Sequence, residues 1–437
     1  MNRLANELSA AAAAAQIRQG DLTSEKLVQA CLDRVDLREP EIDAWAHIDP
    51  DWALSQARAC DAEPPRGPLH GIPVAIKDVI DTADMPTGHG SPIYDGHRPA
   101  IDAECVAMLR AAGAVILGKT VATEFAAITP GKTANPHNPA HTPGGSSSGS
   151  AAAVADRMAP LALGTQTVGS TIRPAAYCGV VGFKPSYGTF GLRGVLPQAP
   201  SVETLGLFSR DVADLSVLAD GLIGGEGAFA AGNPGAPPRI GYCPTPQWDQ
   251  ATSDAVGAME RSRELLQQAG ATIEQVDLPG TFDAALDAHW FILKFEIART
   301  LMPERRSHPD MLSEGLRGIL DDGAALPVAE YRTALVMAAN YRSEIAPLFD
   351  RYDILLTPSA ASEAPEGLTT RTDLLFQRLW TLLHMPCLTL PVAQGSAGLP
   401  VGVQLVGRFG DDVALIAAAR WCEEVLIPDG APVPPAA

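Results

Sequence analysis

Residues Gly144–Pro174 read GGSSSGSAAAVADRMAPLALGTQTVGSTIRP. The Gly/Ser run carries no apolar periodicity and leads directly into an Ala-rich segment, 150–158, which is helical by propensity. The apolar run Leu161–Leu163 is short and ends in small residues, as a buried strand does. Loop, helix, strand and tight turn in immediate succession give the rhythm of a sheet covered by helices on both faces. Upstream the rhythm repeats. Pro73–Ile76 is an apolar strand ending on Lys77-Asp78, Asp102–Ala112 a helix stopped by Gly113, and Ala114–Leu117 the next strand. Downstream, Val180–Phe183 reads as a strand, followed by helices near 254–268 and 328–347. Strands Ile354–Leu356, Cys387–Val392 and Val401–Val406 come next, then a closing helix Asp411–Val425. The expected class is α/β.

The first sixty residues read as helices, with a Leu27/Cys31/Val35 face after Thr23. A single domain is expected to comprise this helical segment (about 1–60), a core (about 61–220) and a C-terminal α/β part (about 239–426). Between the last two lies a Gly/Pro-rich connection, GLIGGEGAFAAGNPGAPP, at 221–238.

A net charge of −19 over 437 residues excludes non-specific attraction to nucleic acid or an anionic membrane, both polyanions. No apolar run is long enough to span a bilayer. The Ala stretch at 10–15 is flanked by polar residues and reads as a soluble helix rather than a leader. Seven scattered cysteines, odd in number and never spaced C-x-x-C, suit reduced thiols in a cytoplasm and form no zinc pattern. No metal and no cofactor are expected.

Three places carry chemistry. Lys77 ends a buried-looking strand, where a charged amine is costly unless paired or neutral; Asp78 or Asp81 would be its partner in a purely structural role. The Gly144–Ser150 run opens a helix, where unpaired N–H groups face a polar or anionic partner; a capped Ser/Gly linker would look the same. It is no phosphate-binding loop, since no lysine follows its glycines. The window 145–149 fits G-x-S-x-G with Ser147 as nucleophile, but no strand leads into it. Finally, Gly164–Pro174 runs from a strand into a turn of small residues, a serine and an arginine. Successive amides of such a turn can converge on an oxyanion. That would make Ser170 the nucleophile and the amides of Thr167, Val168, Gly169 and Ser170 its oxyanion hole, although a plain tight turn is the alternative.

Together these stretches resemble the amidase signature family. The family's lysine lies in G-x-P-x-x-x-K-D, matched by Gly71–Asp78. Its bridging serine follows a Gly-Gly pair, matched by Ser146, and its nucleophile follows a glycine 24 residues later, matched by Ser170. AVILGK at 114–119, VVGFKP at 180–185, DILLTP at 353–358 and GLPVGVQLVG at 398–407 also agree, so the resemblance runs from about 17 to about 425. It implies a large mixed, mostly parallel central sheet, and an amidase with a Lys77–Ser146–Ser170 relay and a cis Gly145–Ser146 peptide. The partner it implies is a small-molecule amide; a homo-oligomer is left open. Three departures stand out: Gln166 where the family usually has Asp, Val168 where it often has Gly, and Arg173 three rather than two residues past the nucleophile. They weaken a match to the ammonia-generating component of the tRNA-dependent amidotransferases.

In the expected relay a neutral Lys77 takes a proton from Ser146, which takes one from Ser170 as it attacks the amide carbonyl. An unperturbed lysine is almost never neutral at pH 7, so burial must lower its pKa. Arg173 either holds the fold or clamps a substrate carboxylate. A Ser-His-Asp hydrolase with Ser147 as nucleophile, or an ammonia-generating amidotransferase component, are the alternatives.

Overall fold

A computed structural model describes residues 4–225, 227–229, 236–370, 372 and 374–435. Among them, eleven strands form one sheet: β1 (Trp45–Ile48), β2 (Pro73–Lys77), β3 (Val115–Thr120), β4 (Leu161–Gln166), β5 (Val181–Lys184), β6 (Thr204–Ser209), β7 (Arg239–Tyr242), β8 (Thr272–Gln275), β9 (Ile354–Pro358), β10 (Cys387–Gln394) and β11 (Pro400–Val406). Their spatial order is β1-β3-β2-β4-β6-β5-β10-β11-β9-β7-β8. Every residue of β2, β3, β4, β6 and β11 is buried, which requires cover on both faces and explains why they read as unbroken apolar runs.

The sheet is mixed, but parallel pairing is confined to its two flanks, β3-β2-β4 and β9-β7-β8. The stretch from β4 through β6, β5, β10 and β11 to β9 is antiparallel. β10 and β11 are joined by a short turn and need no crossover helix, so antiparallel pairing is the only arrangement open to them. On the first flank the helices Glu104–Ala111 and Ser148–Ala155 are the crossovers from β2 to β3 and from β3 back past β2 to β4. The carboxyl ends of β2 and β4 therefore lie side by side, where open α/β sheets form their crevices.

The N-terminal segment is not wholly helical. Helices Ala10–Gln19, Ser24–Ile42 and Pro50–Ala62 form as expected, the second capped by the Thr23 hydroxyl on the Lys26 amide. Between the last two, Asp43 takes a left-handed φ of 53° and turns the chain into β1, an edge strand on β3. Asp49 and Pro50 end that strand by starting the next helix. At the opposite edge β8 is also four residues long and mostly exposed; Glu274 there accepts from Arg351 and from the Tyr352 hydroxyl, each at 2.9 Å. In the Gly/Pro-rich connection the helix Val212–Ile223 ends at Gly224 in the left-handed region. Residues 226 and 230–235 of that connection lie outside the described residues.

Candidate functional site

Lys77 is the last residue of β2, and its side chain is fully buried. Its Nζ lies 2.7 Å from Ser146 Oγ and 2.8 Å from Thr165 Oγ1 of β4. Among the described residues it has no carboxylate within ion-pair distance. Asp78, which would be its partner in a structural role, instead faces Lys119 at 3.4 Å and accepts the Gly88 amide. The two buried lysines thus differ. Lys119 has Asp78, the Ile80 carbonyl and the Thr87 hydroxyl to hold its charge. Lys77 has only hydroxyls within hydrogen-bond distance, and burial pushes its pKa well below the ordinary 10.5.

Glu203, buried just ahead of β6, opposes this shift by its charge. Burial in turn raises the Glu203 carboxyl, and the charge of Lys77 is the largest influence pulling it back down. Each charge therefore favours the other: Glu203 raises the Lys77 pKa and Lys77 lowers that of Glu203.

Gly144 and Gly145 bring Ser146 to this point. Both sit at positive φ (73° and 66°), and a Cβ on Gly145 would lie 2.7 Å from Pro174 Cδ. The expected cis peptide at Gly145–Ser146 is not found: every described peptide bond is trans, and the two left-handed glycines make the turn themselves. In this arrangement the Ser146 amide donates to Ser170 Oγ at 3.1 Å, and no hydrogen bond joins the two hydroxyls directly. Ser147 is turned away, its Oγ donating to the Thr165 carbonyl at 3.2 Å and accepting the Thr165 amide at 3.3 Å. Among the described residues no histidine hydrogen-bonds Ser146, Ser147 or Ser170.

The turn Thr167–Ser170 follows β4, and its carbonyls are held outward one by one. His289 Nε2 donates to the Thr167 carbonyl at 2.8 Å, Thr381 Oγ1 to that of Val168 at 3.0 Å, and the Arg173 amide to that of Gly169 at 3.0 Å. Burial lowers the His289 pKa to about 3, so the ring is neutral and its single N–H is the one given to Thr167. No acceptor among the described residues takes the amides of Thr167, Val168, Gly169 or Ser170. Gln166 explains one departure from the family pattern. Its Oε1 accepts the Thr171 and Ile172 amides at 2.9 and 3.1 Å, as a carboxylate would, while its Nε2 donates to Thr381 at 3.0 Å, which a carboxylate could not.

Above the serines lies a cavity of about 260 Å³ lined by Ser146, Thr167, Val168, Ser170, Arg173 and Gln198, with Trp290, Leu293 and Ile297 from the helix Ala285–Thr300. The structure thus gathers Lys77, Ser146, Ser170, the 167–170 turn and Arg173 around one space. The sequence reading did not reach Thr165, Gln198, Glu203, His289 or Thr381. A buried acid or histidine outside a motif has no local signature; only the pairing of β4 with β6 and the packing of helix 285–300 reveal them.

Residues 26–416 match the family model described as Amidase. A glutamyl-tRNA(Gln) amidotransferase component (the A-type chain) of Chloroflexus aurantiacus is 33% identical over 94% of this chain and 95% of its own length. A crystal structure titled as an amidase superposes with a TM-score of 0.88 at 30% identity, covering 96% of this chain and all of the other. The peptide amidase of Stenotrophomonas maltophilia gives 0.84 at 31% identity, covering 96% and 97%. No helix among the described residues is long and apolar enough to cross a membrane.

Proposed function

Because this chain belongs to the amidase family, whose members act on the carbon–nitrogen bond of amides, we propose that it hydrolyses a small carboxamide through an acyl-Ser170 ester. The observation that carries this reading is the 2.7 Å contact between Ser146 Oγ and a fully buried lysine that, among the described residues, has no carboxylate within ion-pair distance. A buried ammonium without a directly paired carboxylate is costly, and burial favours loss of its proton over the opposing charge of Glu203. A neutral Lys77 is a base aimed at Ser146. Ser170 Oγ already accepts the Ser146 amide, so its own proton is the one it has left to give, and a side-chain rotation that brings the two hydroxyls within hydrogen-bond distance completes the relay. As Ser170 attacks the carbonyl carbon, the oxygen becomes negative against the open amides of 167–170. The C–N bond then breaks, the amine leaves with the proton returned through Ser146, and water releases the acid.

Two tests follow from the residues behind the site. Glu203 raises the Lys77 pKa, so Glu203→Gln should move the acid limb of the pH–kcat/KM profile to lower pH. An unmoved limb would show that Glu203 does not govern the base. Thr381→Val removes the hydroxyl that holds the Val168 carbonyl outward, and kcat should fall about 10- to 100-fold with KM nearly unchanged. Thr381→Ser should keep most of the rate; a near-native Thr381→Val with a slower Thr381→Ser would assign Thr381 to packing alone.

The identity to glutamyl-tRNA(Gln) amidotransferase components supports a second reading, in which the ammonia is passed to a partner complex. Hydrolysis of free amides by the purified chain, with neither tRNA nor a second protein, separates the two.

A further inference from the structure

We infer that the acyl group of the substrate is neutral and apolar, and that Val168 limits its size; this rests on the reading of Ser170 as nucleophile. Val168 stands inside the turn whose amides would hold the carbonyl oxygen, and it lines the same cavity as Ser146 and Ser170. It packs in one cluster with Leu293, Trp290 and Leu374, and all four line the cavity with Ile297 and Ile319. The polar lining is mostly hydroxyls, from the serines and from Thr123, Thr133, Thr142, Thr167, Thr370 and Thr372, with Gln198. Among the described lining residues Arg173 is the one charged side chain, and it already has a partner within the chain. No acid is among those lining residues, so none of them would offset the hydration that a cationic substrate loses. A substrate carboxylate would have to compete for Arg173.

The volume, about 260 Å³, falls below the roughly 300–1,000 Å³ of pockets for drug-sized ligands. In a primary amide the leaving group is ammonia, which cannot fill an apolar wall. The wall can then be filled only from the acyl side. Where the family often has glycine, the valine both narrows this space and supplies contact with the chain that enters it.

The purified protein is assayed on primary amides of increasing acyl length, from acetamide through butanamide to hexanamide, with benzamide as the aryl member. Succinamate and 4-aminobutanamide are the anionic and cationic counterparts of similar length. We expect kcat/KM to rise about fourfold per added methylene until the wall is reached. Both charged amides should fall about 100-fold or more below the neutral amide of matching length. Val168→Ala keeps the backbone amide and enlarges the space, so the ratio of kcat/KM for 2-ethylhexanamide over hexanamide should rise about tenfold. A flat profile with chain length, or a Val168→Ala variant with an unchanged ratio, overturns the inference. So does a preference for succinamate that Arg173→Gln abolishes, which would make Arg173 the anion site. Failure to hydrolyse any amide in the panel would instead overturn the underlying amidohydrolase reading.

Discussion

Ser170→Ala should lower kcat by at least about 10⁴-fold, the scale on which nucleophile removal acts when the rest of the site stays in place. The rest should stay in place, because among the described residues the Ser170 hydroxyl accepts one hydrogen bond, from the Ser146 amide, whose loss costs about 1 kcal/mol. The variant should therefore fold, which circular dichroism and a melting curve would establish beside the rate. Ser147 cannot take over, being tied through its hydroxyl to both backbone groups of Thr165. A phosphonylating or sulfonylating reagent should label the native protein at Ser170, and peptide mapping by mass spectrometry would locate it. A label on Ser147, or a Ser170→Ala variant with near-native turnover, would refute the assignment.

Lys77→Met should cost at least about 100-fold in kcat, the lower range for losing a general base. Lys77→Arg should be no better, since a guanidinium stays protonated and cannot accept from Ser146. The sign of the pH dependence follows from the active form. In the proposed relay the base is the neutral amine, and burial lowers its pKa, so activity should be absent at low pH and rise as pH climbs through a midpoint below 10.5. That rising limb should vanish in Lys77→Met, leaving a flat residual rate. Near-native turnover in Lys77→Met would remove the relay altogether.

The parallel flank is legible in the sequence because β2, the helix Ser148–Ala155, β4 and the turn at 167–170 are segments with strong local signals. Lys77, Ser146 and Ser170 fall within that flank, and their motif spacing is readable without any tertiary information. Three features are hidden for distinct physical reasons. β1 is four residues between two helices, too short to show alternation, and only Asp43 in a left-handed turn reveals it. The helix Ala285–Thr300 is apolar on most of its circumference, since one side meets the core and another the cavity, so no amphipathic face betrays its register. Glu203 looks like any surface acid until β6 is inserted between β4 and β5 and buries it beside Lys77. The trans geometry at Gly145–Ser146 is equally invisible, because the residues of that turn do not declare which backbone solution they take.

The two margins of the sheet have a consequence for the protein at high concentration. A sheet of eleven strands leaves just two rows of unpaired backbone groups, and such rows are where separate molecules zip together. Here one row is the four residues of β1, closed at once by Asp49 and Pro50, and the other is β8, which carries the ion-paired Glu274. Neither is long or greasy enough to template a strand from a neighbouring copy. The apolar strands that carry Lys77 and the 167–170 turn lie inside the sheet, paired on both sides, so the machinery most prone to aggregate is the least available for it.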